Sequence, residues 1–281
     1  MLEHSFSFYN IGIMQKNIFH IHTYICKHSS NRLEEIVAYA LKHGYKKLYF
    51  TEHAPITVPC AYQKRRASYK EIADLKHNID KLNKKYKNKL EIYFGYEVEY
   101  NQPNRWYIKK LAKDPYCEFL VFGNHFYGDL FKMQLPLPLA MNVTKTVEQL
   151  KEQDANNMAA MSSGLMSWVA HPDIFLNSYQ KWDKAAKAVS MNIIKAAIKY
   201  KLPLGFNVNF KSYETKSKWH YPCKYFWQLV AKTNIPAIIE SDAHDMHPLT
   251  MEWLTKAKKL AISYGLKKNL TEKIKLNLLK K

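Results

Sequence analysis

Short apolar runs alternate along the chain with longer stretches in which apolar residues return every three or four positions. The runs read as buried strands and the longer stretches as helices with one buried face. The first strand is expected at about residues 17–22 and leads to a helix from Asn31 to His43. In that helix Leu33, Ile36, Val37, Ala40 and Leu41 form the buried stripe. Asn31 and Glu34 read as N-cap and capping-box partner, with Gly44 as the stop. Strand two runs through Leu48–Phe50, and the next helix opens at Ser68 with Glu71 three residues on. Strands three, four, five and six follow at Leu90–Phe94, Phe119–Phe122, Met166–Ala170 and Leu204–Val208. The seventh is Ala237–Glu240. Helices are expected near 104–113, 144–162, 183–200, 222–233 and 250–264, with a basic tail behind the last.

Regular strand–helix alternation argues for parallel strands with right-handed crossovers. Almost every expected strand ends in His, Glu, Asp or Asn. Polar residues at that end fit a closed barrel, whose sites sit at the C-terminal ends of its strands. The expectation is an α/β fold, a distorted (β/α)7 TIM-like barrel over residues 17–281 with an N-terminal arm at 1–16. A doubly wound open sheet is the alternative, and it would bring the ends of strands one, four, five and seven together less readily.

Composition narrows the class. A chain of 281 residues with 47% hydrophobic and 24% charged residues is an ordinary globular protein able to bury a large core. No apolar run approaches a membrane span, and Glu3 and His4 stand where a signal peptide would be basic and then apolar. Four scattered cysteines without a CxxC pair read as reduced thiols in a cytoplasmic protein. The net charge of +19 invites a nucleic-acid partner. Only Arg32, Arg65, Arg66 and Arg105 among the 43 basic residues are arginines, however, and the lysines are spread over helix faces. A solvated lysine surface that attracts anionic substrates is the better reading.

The histidines carry the chemistry. Seven of the twelve, His20, His22, His28, His53, His125, His171 and His244, stand at or just after strand ends, together with Glu97 and Asp242. His4, His43, His77, His220 and His247 fall on arms, helices or loops. On an extended chain residues i and i+2 face the same way, so His20 with His22 and Asp242 with His244 can each grip one ion. Nine such donors exceed the needs of one ion. They suit two or three divalent ions of Zn, Mn or Fe, a centre fit for hydrolysing a phosphoester.

The runs His20-Ile-His22 with His28, Thr51-Glu-His53-Ala-Pro, Gly95-Tyr-Glu97-Val-Glu99, Asn124-His125-Phe, Ala170-His171-Pro-Asp and Ser241-Asp242-Ala-His244 occur in that order. They resemble the motifs of the PHP (polymerase and histidinol phosphatase) family from about residue 17 to 265. Thr51–Pro55, the following Lys-rich helix, the stretch around Glu97 and the His220-Tyr-Pro run are most similar to its histidinol-phosphate phosphatase branch. The resemblance implies a trinuclear centre. His20, His22, Glu97 and Asp242 would hold one ion, His28, His53 and His244 a second, and His125 and His171 a third bridged by Glu97. It also implies phosphomonoester hydrolysis, with L-histidinol phosphate the expected substrate, by a metal-bridging hydroxide. Asp242 and His244 would act through the metals.

The branch carries an arginine after strand six, but this chain has Asn207-Val-Asn209-Phe-Lys211 there and no arginine beyond Arg105. Lys211 is the expected point charge in its place. His220 and the loop residues Arg65 and Arg66 are the other candidates for holding a small phosphorylated substrate. Two competing functions are a phosphodiesterase or exonuclease on nucleic acid, and a protein with a purely structural metal site. The first would need a basic-aromatic stripe; the second would close with four ligands.

Overall fold

A computed structural model describes residues 15–56, 63–101, 105–125, 146–208 and 221–279. Seven parallel strands close into a barrel in chain order: β1 (Asn17–Ile21), β2 (Lys47–His53), β3 (Glu91–Val98), β4 (Phe119–Phe122), β5 (Met166–Val169), β6 (Leu204–Asn207) and β7 (Ala237–Ala243). Because β1 pairs with both β2 and β7, the sheet has no free edge and the open doubly wound arrangement is excluded. Around it lie α1 (Leu33–Lys42), α2 (Tyr69–Lys85), α3 (Arg105–Leu111), α4 (Val147–Ser162), α5 (Phe175–Tyr179), α6 (Lys184–Tyr200), α7 (Lys224–Val230) and α8 (Met251–Ser263). Among the described residues, no helix is long and apolar enough to cross a membrane.

The helix starts follow local chemistry. Ser68 and Glu71 form a reciprocal capping box on α2, and Thr146 with Gln149 does the same on α4. The first helix departs from expectation. Its N-cap is Arg32, without a side-chain cap, and Asn31 is wholly buried instead. Asn31 Nδ2 donates to the carbonyls of His22 at 3.0 Å and Ala243 at 2.9 Å. Carbonyls inside the barrel mouth need protein donors, whereas N–H groups at an exposed helix start have water.

Two layers fill the barrel. Below, Phe19, Tyr49, Phe119, Val121, Trp168, Ala170 and Ile238 form an apolar floor. Phe19 stacks on Tyr49 at 4.5 Å between ring centroids, with Trp168 edge-on at 6.1 Å. The basic tail expected after the last helix is tied to the barrel. Ile274 and Leu276 pack against this floor from outside. Backbone bonds from Thr271 to Ala237 (2.9 Å) and Leu279 to Glu118 (2.9 Å) hold the segment across the lower end of the barrel. The upper layer, at the C-terminal ends of the strands, is polar. Strands β2, β3 and β7 run past their apolar runs, so that His53, Glu97 and Asp242 lie within ladders rather than in the loops beyond them.

The pairing of His20 with His22 has a different cause from simple pleating. Beside β2, the register passes from Phe19↔Tyr49 to Ile21↔Phe50, so His20 is an extra residue in a bulge with φ 64. Asp242 (φ 44) and His171 (φ 32) also occupy the left-handed region, which non-glycine residues rarely adopt. Three strand ends thus depart from regular geometry to aim side chains into one mouth, at a backbone cost concentrated where the chemistry is.

Candidate metal centre

Glu97, almost fully buried on β3, is the hub of the mouth. Its Oε2 stands 3.5 Å from His20 Nε2, 3.5 Å from His22 Nε2 and 3.0 Å from His53 Nδ1. Its Oε1 stands 2.7 Å from His171 Nε2 and 3.7 Å from His125 Nε2. One carboxylate therefore faces two groups of imidazoles through its two oxygens. Asp242 Oδ1 adds contacts of 3.5 Å to His20 Nε2 and 3.4 Å to His22 Nε2. The rings of His22 and His244 stack at 4.4 Å, those of His28 and His244 at 4.6 Å, and those of His28 and His53 at 5.2 Å. All nine side chains expected at the mouth are brought together.

The donors point inward. His28 Nδ1 is 2.7 Å from the Cys26 carbonyl and His244 Nδ1 is 3.0 Å from the Asp242 carbonyl. A carbonyl only accepts, so each Nδ1 carries the proton and each Nε2 keeps its lone pair. Among the described residues His20 Nε2, His22 Nε2, Glu97 Oε2 and His244 Nε2 are buried without a hydrogen-bond partner. Buried polar atoms are rarely left so, and a cluster of such lone pairs is what a cation fits. Donor triplets with all atoms within 4.8 Å of one another occur at His20–His22–Asp242, His20–Glu97–His171, His22–His53–His244 and Cys26–His28–His244. Imidazole and carboxylate donors suit Zn, Mn or Fe. The thiol near His28 was not anticipated. Burial pushes Cys26 up to about 12, which keeps it protonated near neutrality and a poor ligand in that form.

Electrostatics divide the imidazoles. Burial, reinforced by His244, lowers His22 to about 3, and burial with His244 lowers His28 to about 4. Both rings are neutral and ready to ligate at pH 7. At His20 burial opposes the charge, but Glu97, Asp242 and Glu240 outweigh it and raise the group well above the usual histidine range. His125 is raised to about 9 by Glu99 and Glu97 against the effect of burial. Burial acts to raise Glu97, yet His20, His125, His53 and His171 together hold its carboxyl well below the usual range.

Several side chains around the ligands were not assigned from sequence. Glu99 Oε1 lies 2.5 Å from His125 Nδ1, and Oε2 accepts from the His125 backbone N–H at 2.9 Å. Asn207 Nδ2 donates to Asp242 Oδ2 at 2.9 Å. Glu240 lies beneath His20. Both glutamates had a sequence signal in their spacing, Glu99 two residues after Glu97 and Glu240 two before Asp242. Arg65 ends a short 3-10 turn (Gln63–Arg65) and Arg66 follows it, nearly buried. Their charges contribute to the lowered pKa of His28, and that of Arg66 to the lowered pKa of His53. Lys211 and His220, like the loop following His125, lie outside the described residues.

Glu52, next to His53, is fully buried, and its Oε1 accepts from the Thr23 backbone N–H at 2.6 Å. Burial pushes its carboxyl up from 4.5 to about 8. A folded-state pKa above the unfolded one means that the native state holds the extra proton, so stability falls as pH rises through that interval. Glu52→Gln removes this slope. In chelator-treated protein the melting temperature of wild type minus that of Glu52→Gln is expected to fall steadily from pH 5 to pH 8 and then level off. A pH-independent difference would show that Glu52 titrates normally.

The fold and its motifs find relatives among known proteins. The PHP domain family model matches residues 19–209. A histidinol-phosphatase of Bacillus subtilis is 38% identical over 92 residues, covering 31% of this chain and 34% of that one. A Schizosaccharomyces pombe protein named "Probable histidinol-phosphatase" is 21% identical over 253 residues, covering 81% of this chain and 80% of its own. Among solved structures, histidinol phosphate phosphatase of Lactococcus lactis, complexed with zinc, L-histidinol and phosphate, superposes with a TM-score of 0.64. Its identity is 18%, over 89% of this chain and 94% of that one, a likeness of fold. Six motifs in order, a closed seven-stranded barrel and a family match over most of its length establish that the chain belongs to the PHP domain family.

Proposed function

We propose that this chain is a metal-dependent phosphomonoesterase and that L-histidinol phosphate is its substrate. The observation that carries the reading is Glu97, whose two oxygens face five imidazoles in a mouth where buried lone pairs converge without partners. In this reading His20, His22, Glu97 and Asp242 hold one ion, His28, His53 and His244 a second, and His125 and His171, with Glu97, a third. Bound divalent ions supply Lewis acidity toward the phosphoryl oxygens and lower the pKa of water.

The remaining work falls to side chains of this chain. Glu97 spans the two sets of imidazoles and fixes their separation. Asn207 holds Oδ2 of Asp242, leaving Oδ1 toward His20 and His22. Arg65 and Arg66, whose charges act on His28 and in the case of Arg66 on His53, attract the phosphate dianion in this reading, since the branch's usual arginine after β6 is absent. The substrate assignment rests on the relatives named as histidinol-phosphatases, one of them bound to L-histidinol and phosphate.

The test is phosphate release from L-histidinol phosphate, beside other small phosphomonoesters and a phosphodiester. Chelated protein would be resupplied with Mn, Zn or Fe. Selective, metal-restored turnover of histidinol phosphate is expected. Turnover confined to other monoesters would move the substrate and keep the chemistry, and no turnover in metal-loaded protein would sink the phosphatase reading.

A further inference from the structure

Beneath the metal centre lies a carboxylate that none of the proposed ligand sets uses. Glu240, on β7, is wholly buried between the apolar floor and the histidines above it. Isolated carboxylates are not buried without compensation, and here two N–H donors and an imidazole nitrogen surround this one. Its Oε1 accepts from the His171 backbone N–H at 2.7 Å. Its Oε2 accepts from Trp168 Nε1 at 3.1 Å and faces His20 Nδ1 at 3.3 Å. The neighbouring strand makes room: a Cβ on Gly205 would collide with the Glu240 carboxylate. Two of the three contacts go to residues of the mouth, the ring of His20 and the main chain of His171, and both residues have positive φ.

We propose that Glu240 is a positioning residue for the metal centre, an inference that rests on the metal-centre reading given above. Its Oε2 stands behind the His20 ring, 3.3 Å from Nδ1, and favours the ring orientation that turns Nε2 toward Glu97 and Asp242. Its Oε1 holds the backbone of His171 in the left-handed conformation that aims Nε2 at Glu97. A carboxylate behind a ligating imidazole both fixes the tautomer and strengthens the donor. Glutamine cannot replace it, because one of its two terminal positions is an NH2 that would face an N–H.

The experiment uses the full-length chain, chelated and then titrated with Co(II) or Zn(II) against a chromophoric chelator. The visible absorption of Co(II) is followed in parallel. Glu240→Gln is expected to weaken metal affinity by about 10–100-fold and to alter the Co(II) spectrum. Trp168→Phe removes the indole donor while leaving both contacts to the mouth, and is expected to keep affinity within about 3-fold, a bound set well below the loss expected from Glu240→Gln. If Glu240→Gln does not fold, Glu240→Asp, which keeps the charge one methylene further from His20, takes its place in the same titration. Unchanged affinity and spectrum in the Glu240 variant, or an equal loss in Trp168→Phe, would overturn the proposal. Wild type that takes up no metal would instead overturn the reading on which it rests.

Discussion

Glu97→Gln is expected to reduce metal-restored phosphate release by about 10²–10³-fold, the scale seen when one preorganised electrostatic group is removed from a reacting centre. The size follows from its position. Both oxygens of this buried carboxylate are committed, Oε2 toward His20, His22 and His53, and Oε1 toward His125 and His171. An amide keeps the volume but removes the charge and turns one donor oxygen into an NH2 that faces imidazoles. Metal content should fall with activity, so stoichiometry of the purified variant is the companion measurement. A folded Glu97→Gln protein that retains its full metal complement and turnover would show that Glu97 is not the bridge.

Gly123→Ala is expected to produce nearly the same loss without removing any functional group. Gly123 directly follows β4, and a Cβ built there would overlap the Glu97 carboxylate. The added methyl must push the carboxylate away from His125 and His171 or move β4 itself. Overpacking of a core commonly costs about 1–3 kcal/mol, or a few degrees in melting temperature for a domain of this size. A modest fall in thermal stability with a large fall in metal affinity is the expected pattern. A variant that loses stability but binds and turns over normally would mean that Glu97 has room to shift, and that its exact placement matters less than its charge.

The two substitutions separate what is legible in a one-dimensional reading from what is not. Glu97 stands out in sequence because a carboxylate at the end of an apolar run has few uses in a core. Gly123 does not, since a glycine after a strand has many explanations and its contact is with a residue 26 positions earlier. Asn31 shows the converse error. Its spacing to Glu34 matches a helix cap, a local pattern, yet its side chain serves carbonyls at the ends of β1 and β7. Local spacing says what a side chain can do beside its neighbours in sequence, and buried long-range partners outbid it.

The order of the seven strands and of every helix but the short α5, the polar mouth and the nine side chains that meet there were determined by the sequence itself. Buried strands need apolar runs, and ionisable residues at the ends of those runs have no place in an apolar core unless something compensates them. Only the tertiary structure decided how the donors are aimed. The bulge at His20, the positive φ of Asp242 and His171, the glycine that makes room for Glu240 and the chain end beneath the floor all depend on neighbouring strands. Barrel closure sets the distances between strand ends far apart in the chain, and no periodicity within one segment encodes a distance of that kind.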